Sequence, residues 1–105
     1  MSDHKLIFNS LPWTDTAPGA REKAFATAGK RVRLVELTGE FKEADWCTRA
    51  HFGYVMSGVL EIAFEKKKVV VGVAEGLAIP GGEAFRHKVR AVTPSVQLFL
   101  VEDAD

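Results

Sequence analysis

From Lys30 onward the chain repeats one arrangement: short runs rich in Val, Leu, Ile and Phe, partly alternating with polar residues and separated by turn-forming residues. "RVRLVEL" (Arg31 to Leu37) ends at Thr38-Gly39, and "AHFGYVM" ends at Ser57-Gly58. "VLEIAFE" sets Leu60, Ile62 and Phe64 on one face against Glu61 and Glu65 on the other, and Lys66, Lys67 and Lys68 then mark an exposed hairpin tip. "VVVGVAEG" and "LAIPGGEAF" follow. Pro80-Gly81-Gly82 must break or turn the chain, because proline lacks a ladder donor and glycine tolerates positive φ. "HKVRAV" and "VQLFLVE" complete a set of short strands that predicts an all-β antiparallel sandwich or barrel over residues 31–105.

Residues 1–30 are less regular. Pro12, Pro18 and Gly19 interrupt them, and "AREKAFATA" (Ala20 to Ala28) suits a short helix and an arm laid over the barrel as an edge strand equally well. The expectation is an irregular N-terminal arm that wraps or pairs, here or with a second copy.

Composition narrows the function classes. A chain of 105 residues with 47% hydrophobic content is one domain. Fourteen basic residues balance fourteen acidic ones, so the field that draws proteins to nucleic acid is absent. The local cluster Arg21, Lys23, Lys30, Arg31 and Arg33 is expected to be a solvated face. No run approaches the ~18 apolar residues of a membrane span, and "MSDHKLIFNSLPW" lacks a signal-peptide core. With Cys47 the only cysteine, the expectation is a cytoplasmic protein with no nucleic-acid or membrane partner.

The chemistry concentrates in "DWCTRAHFGYVMSG". If the strand runs unbroken, Asp45, Cys47, Arg49, His51, Gly53 and Val55 share one face, while Trp46, Ala50, Phe52, Tyr54 and Met56 form an apolar packing face. A face that begins with a carboxylate, a thiol, a guanidinium and an imidazole suits a barrel interior that is polar at one end and packed at the other.

The spellings "WCxxxHxGYVxxG" (from Trp46) and "IPxGExxxHK" (from Ile79) resemble the two motifs of small single-domain bacterial cupins, and the resemblance covers Trp46 to Val101. It implies a cupin-like antiparallel jelly-roll barrel. Gly58, Gly76, Pro80 and Gly82 match the framework. The positions that hold one divalent ion in metal-binding cupins fall on Asp45, Cys47, His51 and Phe85, with His87 two places further and of the same parity. Only one of the four is of a residue type that the family's set uses.

Three functional readings follow. In the first, the barrel binds a small polar or anionic molecule, with Arg49 for an anionic group, His51 and His87 as hydrogen-bond or proton partners beside Cys47, and Trp46, Tyr54 or Phe85 as walls. In the second it is a metal-dependent oxygenase or isomerase: Cys47, His51 and His87 suit Zn²⁺, whereas Asp45 with the two histidines suits Fe(II), and Mn or Ni complete the range of ions. The third is a structural or partner-binding barrel with a filled interior. Catalysis by Cys47 itself is disfavoured, since strand rise puts His51 roughly 13 Å away. Exposed sheet edges and an apolar outer face predict a homodimer.

Overall fold

A computed structural model describes residues 4–104 of the protein. Among them nine strands form two sheets. Thr14–Ala17 (β1), Ala20–Thr27 (β2), Lys30–Thr38 (β3), His51–Ser57 (β4), Gly76–Ile79 (β7) and Ser95–Asp103 (β9) make a six-stranded sheet in the order β1-β2-β3-β9-β4-β7. Leu60–Phe64 (β5), Lys68–Val71 (β6) and His87–Ala91 (β8) make a three-stranded sheet in the order β6-β5-β8. Every pairing is antiparallel.

The core lies between the sheets. The alternating strand β9 contributes Val96, Leu98 and Leu100, which meet Val35 and Leu37 from β3, Val55 from β4, Leu60 and Ile62 from β5, and Ile79 from β7. Val55 and Val96 have no exposed surface at all. Each such side chain removed from water is worth about 1.5–3 kcal/mol, so this layer carries most of what holds the sheets face to face. Two glycines serve close approach. A Cβ at Gly53 would sit 2.1 Å from the Phe99 carbonyl oxygen, so glycine lets β4 lie against β9. Gly58 turns β4 into β5 at φ +81, where a Cβ would also meet the Ser95 carbonyl oxygen at 2.2 Å.

The segment Ala20–Thr27 is strand, not helix. It pairs residue for residue with β3, from Ala20 opposite Leu37 to Thr27 opposite Lys30, through a two-residue turn at Ala28-Gly29 in which both residues have positive φ. Its side chains were legible as helical only because Ala, Glu, Lys and Arg dominate it; a ready-made partner strand overrides that propensity. β1 forms the sheet edge beyond it. The basic cluster is solvated only in part: the Arg21 and Lys30 side chains are 41% and 55% exposed, whereas Arg33 is 17% exposed. Arg31 and Arg33 both pair with Glu22, and Arg21 pairs with Glu36.

Candidate functional site

Strand β9 carries the site into the barrel. Val96, Leu98 and Leu100 point inward, and Glu102, of the same parity, continues the inward row with a carboxylate. Residues opposite one another on antiparallel strands share a side, and β3 places Arg33 opposite Leu100 and Arg31 opposite Glu102. The result is a line of charge at one end of the barrel. Glu22 accepts from Arg31 at 2.6 Å and from Arg33 at 2.8 Å, and Arg33 donates to Glu102 at 2.6 Å. Burial alone would raise the Glu102 carboxyl pKa; hydrogen bonds from His51 and Arg33, with the charge of both, outweigh it and bring the pKa down to about 2. At Arg33 burial works against the charged form, and the hydrogen bonds to Glu102 and Glu22 more than restore it.

The line ends on imidazole. His51 Nδ1 lies 2.5 Å from Glu102 Oε2. A carboxylate can only accept, so Nδ1 carries a proton, and in the neutral ring Nε2 keeps its lone pair. That Nε2 faces the Cys47 Sγ at 3.4 Å. His87, 1% exposed, has its Nδ1 3.0 Å from the Phe85 carbonyl oxygen, so by the same reasoning its Nε2 is the nitrogen with a lone pair in the neutral ring. The two rings stand edge to face with centroids 5.1 Å apart. One donor atom from each of Cys47, His51 and His87 lies within 4.8 Å of the other two.

Cys47 and His51 meet because the strand expected from Asp45 onward is broken. Cys47 forms a single antiparallel bridge to His87: its N–H donates to the His87 carbonyl at 2.9 Å, and its carbonyl accepts from the His87 N–H at 3.0 Å. His51 instead opens β4 and pairs with Ile79 in the larger sheet. Between them the chain crosses from one sheet to the other, so parity is lost and the two side chains face each other across the barrel end.

The remaining sequence-derived residues lie elsewhere. Asp45 and Arg49 are exposed, and Asp45 stands outside the three-residue cluster. Trp46 lies on the surface with Arg86 and Lys88 over its ring, each 5.1 Å from the centroid. Tyr54 is 45% exposed on the outer face of β4, and with Phe52 and Met56, at 50% and 46%, it forms an open apolar face rather than a packed one. Phe85 turns its ring outward and contributes only its carbonyl to His87.

Beside the histidines lies an interior cavity of about 60 Å³, walled by Leu77, Ile79, Leu98 and Leu100, with Glu43 as a further polar group. Glu43 Oε1 accepts from the Val89 N–H at 2.8 Å. Sequence reasoning passed over Glu102, Glu22 and Glu43, and placed Arg33 on a solvated face. The parity of "VQLFLVE" carried the signal for Glu102, a charged residue closing an inward apolar row; nothing local marked Glu43.

The sequence matches no family model and no curated protein at a significant level. Solved structures do match. KdgF from Halomonas sp. superposes over 94% of both chains with a TM-score of 0.76 at 22% identity. An RmlC-like cupin from Shewanella frigidimarina covers 98% of this chain and 92% of its own with a TM-score of 0.77 at 10% identity. A cupin-2 domain containing protein from the same organism covers 78% of each with a TM-score of 0.65 at 24% identity. The architecture is that of an all-β, antiparallel barrel of the cupin class. The chain has the fold of a small cupin, with a Cys/His/His cluster at one end of the barrel.

Proposed function

We propose that the protein binds a small ligand at a single divalent metal ion held by Cys47, His51 and His87. The observation that supports this most is the preset state of both imidazoles: each has its Nδ1 proton held by an acceptor, which leaves Nε2 as the ligating nitrogen. Thiolate with two imidazoles is a donor set suited to zinc. Ions of that kind place their ligand atoms about 3.5 Å apart, on bonds of about 2.0–2.3 Å, so the present spacing asks only for small side-chain rotations. A zinc ion with three protein ligands keeps an open position, where it polarises a bound oxygen or activates a water. The Fe(II) alternative loses support, because its carboxylate was Asp45, which lies on the surface.

Loading the purified protein with Zn²⁺ or Co²⁺ tests the reading. One equivalent of metal, and for cobalt a near-ultraviolet thiolate charge-transfer band that Cys47→Ser removes, is the expected result. Failure to retain either ion after gel filtration overturns it.

A second reading has its own observation. Cys47 Sγ, His51 and Glu102 form the line of an activated thiol, 3.4 Å and 2.5 Å between successive polar atoms. It leaves the buried imidazole of His87 without a role. Rapid alkylation of Cys47 that zinc does not slow would favour it.

A further inference from the structure

The interior cavity of about 60 Å³ has room for about two waters, so any larger ligand must lie mostly outside the core. The adjoining surface has a place of the right size. A groove of about 650 Å³ runs between the edge strand β7 and the β5–β6 turn, within the range of ordinary ligand sites. Phe64, Ala78, Pro80 and Phe85 make much of its lining apolar.

The groove adjoins the cluster. Phe64 sits directly across from His87 on the paired strands, and its ring lies 6.1 Å from the imidazole. Phe85 offers its ring to the groove while its carbonyl fixes the His87 tautomer.

The charge at the rim is one-sided. Glu65 is already matched by Arg86 at 3.0 Å. Lys66 and Lys67 have no ion-pair partner among the described residues, and the Lys67 ammonium lies 5.6 Å from the centroid of the Phe64 ring. One unmatched ammonium over an aromatic ring, with a second on the same rim, complements a molecule with an anionic head and an apolar body.

We propose that this groove binds small amphipathic carboxylates, the carboxylate at Lys66 and Lys67 and the apolar part against Phe64, Pro80 and Phe85. The inference deepens the proposed function by naming a ligand class, and rests on it only for the meaning of the approach to His87. The lysine triplet, legible in the sequence as an exposed turn, then acquires a role.

The probes are 3-phenylpropanoate and its neutral analogue 3-phenylpropanamide, titrated by calorimetry into the full chain with and without zinc. The acid is expected to bind at least about tenfold more tightly than the amide. K66Q/K67Q should bring the acid to the level of the amide without changing zinc content, and Phe85→Ala should weaken both, with thermal melts confirming that each variant folds. Equal binding of acid and amide, an unchanged affinity in K66Q/K67Q, or no binding at about 10 mM overturns the proposal. Lysine-dependent binding by a protein that takes up no zinc supports the groove while refuting the metal site. Zinc uptake without acid binding does the reverse.

Discussion

Cys47 Sγ lies 3.4 Å from His51 Nε2, although an unbroken strand would hold residues four apart at roughly 13 Å. The approach comes from the sheet crossing between them, and it places a soft donor beside an imidazole whose other nitrogen is tied to Glu102. Removing the thiol in Cys47→Ala should abolish stoichiometric zinc binding. Glu102→Gln, which keeps the shape but takes away the charge behind His51, should lower zinc affinity about 10–100-fold. Competition with a chromophoric chelator measures both, and equal affinities in wild type and Glu102→Gln would remove Glu102 from the site.

Acid should destabilise the metal-free protein through the same carboxylate. Glu102 titrates at about 2 in the folded chain instead of its ordinary 4.5. A depressed folded pKa adds stability that is complete above the unfolded value and is lost as pH falls from about 4.5 towards 2. The shift corresponds to about 3 kcal/mol. Urea midpoints measured from pH 6 to pH 2.5 should fall in the wild type and flatten in Glu102→Gln. Some slope should persist in the variant, because Glu36 is also held low, by Gln97 and then Arg21.

Gly53→Ala should cost about 3 kcal/mol or more, since the new methyl meets the backbone of β9 and not a side chain that can move aside. The loss should appear as a lower urea midpoint with an unchanged slope. A variant as stable as wild type would show that β4 and β9 can separate freely.

The homodimer is proposed on the outer face of β4, where Phe52, Tyr54 and Met56 stand open in a row. Sedimentation should give a dimer mass for the wild type and a monomer mass for Tyr54→Lys. A monomeric wild type at about 100 μM would dismiss it.

How much of this was readable in the residues differs between fold and site. Strands β3 to β9 followed from alternation and turn signals, because there the period-2 pattern agrees with burial, as in Val96, Leu98 and Leu100. β2 did not, because its Ala, Glu and Lys composition is helical and only pairing with β3 decides it. At the site, the choice of Cys47, His51 and His87 rested on strand parity and motif spacing. Parity was the wrong guide to Cys47, which reaches His51 through a break in the strand. Parity also misplaced the row through Phe52 and Tyr54 as packed, since alternation says which residues share a side and not which side is covered. Arg33 and Glu102, 69 positions apart in the chain, could be joined only by the β3–β9 register.

The backbone bridge between Cys47 and His87 joins the approach to β4 with the smaller sheet, so it works as a latch on the mouth of the barrel. The same two residues carry donor atoms of the cluster. Any breathing motion that lifts the latch also scatters the donors. An ion gripping all three would in turn hold the mouth shut, and amide exchange at Cys47 and His87 would slow on loading, so the barrel's closing motion and its occupancy are two readings of a single event.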